Sequence, residues 1–266
     1  MPYKKITNLL FASLLSLAMC ENPIVKKDQT VLPPGIKTYP PIDSAVMINF
    51  LPIFSTWDLA CGSCNPLDTI SNYNGLCPTY KGKNSICGKA QAGCVAVAMA
   101  TVMHYFKQPG TYDWTAMKDS CSTREMARLM HDAGVSVNMI YDVRGSSTTP
   151  GDGESGIPSI SVVPKALLKS FGYRTATHGK FSLDTLIREI DSGRPVIVSA
   201  CRNVEGFDIF CHAWVINGYA IDQKNKYHLF MNWGLGFSNW SKADAWKPKG
   251  YDLIFSSKQE MIYNIK

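Results

Sequence analysis

The run Ala90-Gln91-Ala92-Gly93-Cys94-Val95-Ala96-Val97-Ala98-Met99-Ala100 constrains the fold more than any other part of this 266-residue chain. Its alanine-rich stretch is strongly helical, begins behind a glycine and runs to Phe106 before Pro109-Gly110 stops it. Val95, Met99, Val102 and Phe106 fall on one side at helical spacing, so that side faces a core. The same reading sets Cys94 at a helix start, where the positive end of the helix dipole favours a thiolate. By periodicity alone Cys94 is equally a small buried residue. Only a histidine partner separates the two readings.

Three more helices are expected. One starts at Ser122 with Glu125 completing a capping box and ends near Gly134. Another opens near Pro164 and ends at Phe171-Gly172, and a third spans about Leu183 to Asp191 with Gly193 as its cap. Strands follow at Pro195–Val198, Ala213–Asn217 and Tyr227–Met231. Helices first and strands later predict an α+β domain with a helical half and a sheet half. With 45% apolar and 18% charged residues the chain has ample core. Its net charge of +6 is spread without any run of five basic residues, which gives nucleic-acid binding little support.

Lys4-Lys5 precedes the apolar stretch Leu9–Ala18, which is too short to span a bilayer, so residues 1–20 read as a signal peptide. Leu17-Ala18-Met19-Cys20 resembles a lipobox with Cys20 as the lipidated residue, although Met19 is larger than the usual residue there; simple cleavage after Cys20 also fits. A lipid on Cys20 is the only membrane tie expected. Residues 21–45, with Pro33-Pro34 and Pro40-Pro41, read as a tether or a very short pro-segment, and residues 46–266 as one domain. Apart from Cys20 and Cys94, seven cysteines remain, an odd number that leaves at least one thiol unpaired or paired between molecules. Cys61, Cys64, Cys77 and Cys87 are spaced for two disulfides, or else for a thiolate zinc site.

Of the five histidines, His104 lies mid-helix, His131 at a helix end, His178 in a loop and His228 within a strand. His212 stands at a strand start, where it can face a cleft. A hairpin centred on residue 224 sets Asn232 opposite Ile216, and therefore on the same sheet face as His212. From there the Asn232 amide oxygen would accept from His212 Nδ1 and fix its tautomer, with Trp233 shielding the bond or serving as an ordinary core aromatic.

Gly93-Cys94-Val95-Ala96-Val97, His212-Ala213-Trp214-Val215-Ile216-Asn217-Gly218-Tyr219 and Asn232-Trp233-Gly234, in this order, resemble the streptopain family of bacterial cysteine peptidases. Tyr112-Asp113-Trp114, Phe171-Gly172-Tyr173 and Gly193-Arg194-Pro195-Val196 add to the resemblance, which runs from about Trp57 to the C-terminus. It implies a papain-like two-lobed domain, with a helical half carrying the nucleophile and an antiparallel sheet half carrying the histidine. It implies endopeptidase activity on protein or peptide substrates, often with an apolar residue just before the residue at the cut. A proteinaceous inhibitor is a further expected partner, and no cofactor or metal is expected. Cys94 would be the nucleophile, His212 the general base and acid, Asn232 the orienting amide, Trp233 its cover, and Gly145-Ser146 a substrate-lining loop.

The chain departs from the family in three places. Trp57-Asp58-Leu59 stands where a glutamine helps bind the oxyanion, leaving Gln91 as an uncertain substitute. Cys211 replaces the glycine before the histidine, where it would narrow the cleft or form a disulfide. Gly234-Leu235-Gly236-Phe237 replaces a glycine-rich loop. These departures motivate an alternative: an impaired relative that binds peptides or a peptidase.

Overall fold

The computed structural model describes residues 45–80, 87–141, 146–148, 159–202 and 210–266. The proposed signal, Cys20, most of the 21–45 segment and Gly145 lie outside them.

Among the described residues, four α-helices and seven strands follow in the order β1 (Ala45–Phe50), α1 (Cys94–Phe106), α2 (Arg124–Ser136), α3 (Val163–Phe171), β2 (Thr177–Lys180), α4 (Leu183–Asp191), β3 (Val196–Arg202), β4 (Phe210–Asp222), β5 (Tyr227–Asn232), β6 (Ser238–Lys242) and β7 (Ser257–Tyr263). The architecture is α+β, with one antiparallel sheet ordered β2-β7-β3-β4-β5-β6 and β1 joined to the far half of β4. α1 packs on β4 and is buried from Val95 through Met103, as a helix apolar on all sides must be. Trp57, Trp214, Trp233 and Trp246 are fully buried in the core.

α1 and α4 span the residues expected from the sequence, and Gly172 closes α3 in the left-handed conformation. The cap of α2 differs. Thr123, not Ser122, accepts from the Met126 N–H at 3.4 Å. Ser122 is fully buried and its backbone is taken up by Gly62 and Cys64, while the Glu125 carboxylate accepts from the Asp113 N–H at 2.9 Å and pairs with Arg128. Strands β1, β2, β6 and β7 were not expected.

The cysteines of the 61–87 region do not form one cluster. Cys61 pairs with Cys87 and Cys64 with Cys121, leaving Cys77 buried as a free thiol. A third disulfide joins Cys201 to Cys211, directly opposed residues of β3 and β4. The bridge sits one residue before His212.

Segment Trp57–Leu59 links two loops near the start of α1. The Trp57 carbonyl accepts from Gly236 N–H at 3.1 Å, and the Leu59 carbonyl from Ala92 N–H at 2.8 Å. Burial pushes the Asp58 carboxyl up to about 6, against the Leu59 N–H that favours its charged form. A carboxyl with a raised native pKa destabilises the fold once it must ionise. Stability therefore falls as pH rises from 3.8 to about 6 and stays lower above that. Asp58 keeps some solvent contact, so Asp58→Asn should stabilise the chain at pH 7 by about 1–3 kcal/mol and add almost nothing at pH 4. Urea unfolding at the two pH values measures the difference; an equal gain at both would remove ionisation as its cause.

Candidate active site

The backbone turns into α1 through Gly93, at φ 91° and ψ 136°, with no side chain capping the helix. The first main-chain N–H groups of α1 are thus left without capping partners. The N–H groups of Cys94, Val95 and Ala213 are directed at the Cys94 sulfur and favour the thiolate. Burial opposes them and is the larger effect, so the thiol is raised above its ordinary range.

His212, on β4 beside Ala213, lines the same cleft as Cys94. Its ring lies nearly parallel to Trp214 and Trp233, with centroids 5.8 and 6.4 Å away, and beside Phe255 at 6.1 Å. Nε2–H donates to the main-chain carbonyl of Trp233 at 2.8 Å, an assignment fixed by the acceptor, so Nδ1 carries the lone pair. Burial lowers the imidazole to about 4, only partly offset by that carbonyl. At neutral pH the site therefore holds a thiol and a neutral imidazole. Among the described residues no hydrogen bond joins the two; the sulfur is held by Ala213 and the ring by Trp233.

Asn232 does not play the part expected from the sequence. Its Nδ2 donates to the Ser55 carbonyl at 2.7 Å and its Oδ1 accepts from Gly234 N–H at 3.4 Å. The outer part of the hairpin has the expected register, with Gly218 opposite Phe230 and Ile221 opposite Tyr227. A bulge then inserts Asn217, so Asn232 faces Val215 instead of Ile216. Three residues separate Val215 from His212, an odd number, and the Asn232 side chain falls on the opposite face. Asn217 is held in the bulge by Leu51, whose N–H donates to its carbonyl at 2.7 Å and whose carbonyl accepts from its amide at 3.0 Å. The residue that sequence reasoning missed is Trp233 in its backbone role, for which no side-chain signal exists. Asn232→Ala should leave the Ser55 and Gly234 groups unpaired and cost about 1–3 kcal/mol. The nitrogen chemical shifts of the His212 ring should not move; a tautomer change in the variant would restore Asn232 as its partner.

The remaining expected residues are brought near the cleft in different ways. Ser146 lines it, and its hydroxyl donates to the Gln91 carbonyl at 2.6 Å. Gln91 thus acts through its backbone, holding a hydroxyl of the cleft wall. Cys211 lines the cleft and is bridged to Cys201. The indole N–H of Trp233 donates to Asn239 Oδ1 at 2.6 Å, and its ring covers His212. The other histidines have partners elsewhere: His104 packs on Trp57, His228 bonds Asp222, His131 contacts Asp132, and His178 approaches Glu260.

The chain matches the Peptidase C10 family over residues 109–239, a span that contains His212, Asn232 and Trp233. It is 28% identical to streptopain of Streptococcus pyogenes serotype M1 over 226 residues, 66% of this chain and 52% of that protein. The chain resembles the streptopain family. It spans about half the length of the curated streptopains it matches. The thiol protease/hemagglutinin PrtT of Porphyromonas gingivalis is 26% identical over 183 residues, 57% of this chain and 20% of PrtT. Among solved structures, the active wild-type interpain A cysteine protease of Prevotella intermedia superposes with a TM-score of 0.61 at 22% identity. The match covers 85% of this chain and 98% of interpain A, and supports the papain-like fold. The family it resembles is one of cysteine peptidases.

Proposed function

We propose that this chain is an exported cysteine endopeptidase that cleaves polypeptides through an acyl-enzyme formed on Cys94. One observation carries the reading: a thiol at the uncapped start of a buried helix shares a cleft with a neutral imidazole whose tautomer is fixed. In this reading the His212 lone pair at Nδ1 takes the thiol proton as sulfur attacks the carbonyl, then delivers it to the leaving amine. The main-chain N–H groups at the start of α1 stabilise the oxyanion, in place of a glutamine side chain. The Trp233 carbonyl holds the ring as an orienting amide otherwise would, and indole faces exclude water from that bond.

Export through residues 1–20, with Cys20 as a lipid anchor and residues 21–45 as a tether, belongs to the same proposal. Three disulfides suit an oxidising compartment. The test is hydrolysis of casein by residues 21–266 under mild reduction, before and after alkylation with iodoacetamide, with the labelled residue identified by mass spectrometry. Loss of hydrolysis on labelling of Cys94 supports the reading. Hydrolysis that survives complete labelling of Cys94 overturns it.

A further inference from the structure

One row of the sheet runs straight to the nucleophile. Glu260 of β7 is opposed to Ser199 of β3, and Ser199 in turn to Ala213 of β4. Residues opposed in this way carry their side chains on one face of a sheet. Ala213 directs its N–H at the Cys94 sulfur, and both Ser199 and Ala213 line the cleft. Glu260 therefore stands two strands from Ala213, on the face that carries the Ser199 hydroxyl.

Ser159 and Ile160 also line the cleft, on the segment that leads into α3. That helix begins without a side-chain cap, so its own first turn does not fix the segment. Glu260 does. Its Oε2 accepts from the Ile160 N–H at 3.3 Å, and the Ser159 hydroxyl donates between Oε2 at 3.1 Å and Oε1 at 3.3 Å. Oε2 also lies 3.5 Å from the Ser199 hydroxyl, and Oε1 3.4 Å from His178 Nε2 on β2. The tie passes further into the wall, because the Ser159 carbonyl accepts from the Thr148 hydroxyl at 2.7 Å. One carboxylate, with lone pairs enough for all these donors, thus joins the sheet to two segments of the cleft wall.

The surface held in this way is largely apolar, with Val95, Ile160 and Ala213 beside Cys94. An apolar side chain seated there gains from contact with Ile160 only while that residue keeps its distance. A gap of about 0.5–1 Å already forfeits roughly a quarter to a half of the attraction between two atoms. Resting on the peptidase reading, we propose that Glu260 is a positioning residue, which holds Ser159 and Ile160 against β7 and so sets the wall on which an apolar substrate side chain binds. It acts on the binding of the polypeptide and leaves the chemistry of Cys94 alone.

The experiment measures kcat and KM for peptide pairs that differ only by leucine or alanine at each position flanking the cut. The full chain is compared with Glu260→Ala, Glu260→Gln and Glu260→Asp, and the rate of Cys94 alkylation by iodoacetamide is followed in each. The parent should favour leucine at one position by about tenfold or more in kcat/KM, as added methylene groups do in an apolar site. Glu260→Ala should lower that ratio about fivefold or more through KM, while kcat and the alkylation rate stay within about threefold. Glutamine keeps an oxygen where Oε2 lies and should hold the ratio near that of the parent. Aspartate, one methylene shorter, should fall with alanine. A general loss of folded protein scales both members of a pair alike and does not move the ratio. A parent ratio near one at every position overturns the proposal, as does a ratio unchanged in Glu260→Ala or a joint fall of kcat and alkylation. Aspartate outperforming glutamine also overturns it, since the role would then belong to the charge, which faces Lys180 and His178 on β2. Those results leave the peptidase reading standing, whereas failure to cleave any peptide or casein removes both.

Discussion

Replacing Cys94 by alanine should reduce peptide hydrolysis by about 10⁴-fold or more, the scale on which removal of a covalent nucleophile acts. Alanine fits the space, since the residue is flanked by small side chains in α1, and the melting temperature should change little. His212→Ala should cost about as much, because nucleophile and base act as a unit. The pH dependence gives a sharper check on the same pair. The Cys94 thiol is raised by burial and the His212 imidazole lowered to about 4, so across the neutral range both are uncharged. Alkylation of Cys94 by iodoacetamide should then climb roughly tenfold per pH unit from pH 6 to 9, following the growing thiolate fraction. A rate that levels off from about pH 5 would mean a thiolate–imidazolium pair, and with it a ring released from the Trp233 carbonyl. Residual hydrolysis in Cys94→Ala within tenfold of the parent would leave the thiol without a chemical role.

The helical half of the fold was legible because each of its elements carries local signals. The alanine run, Pro164 and Gly172 act within one turn of where they stand, and α1 and α4 span the residues read from sequence. The sheet half was legible only in part. β7 carries Lys258, Gln259 and Glu260, and nothing in that composition announces a strand lying between β2 and β3. Its place is set by distant partners: Met261 and Ile262 are buried opposite Val198 and Ile197. The site shows the same division. That Cys94 and His212 share a cleft was readable from residue type and position. The partner of His212 was not, because it depends on a single inserted residue. Asn217 shifts the hairpin register by one, turns Asn232 to the other face and leaves the neighbouring backbone carbonyl to receive the Nε2 proton. That bulge is fixed by contacts to Leu51, 166 residues away in sequence, and no local pattern records it.

Gly93→Ala should lower stability by about 2–4 kcal/mol and hydrolysis of peptides by a further 10²-fold or more per folded molecule. Residue 93 has φ 91° with ψ 136°, a conformation that L side chains rarely adopt. A Cβ there would lie 2.6 Å from Met139 Cε, 2.7 Å from its Sδ and 3.3 Å from Ser146 Cβ. The methionine end can swing aside, but Ser146 is held to Gln91 and lines the cleft, so relief comes partly by moving the cleft wall. The remaining relief rotates the peptide between residues 93 and 94, which carries the Cys94 N–H that the proposed oxyanion site uses. Displacement of reacting atoms by about 1 Å costs on the order of 10²-fold in rate. The stability loss is read from urea unfolding and the rate loss from kcat/KM corrected for folded fraction. Met139→Ala in the same chain removes the nearest clash while leaving the backbone conformation to be met. It should recover part of the stability and little of the rate; full recovery of both would reduce the role of Gly93 to making room for a side chain.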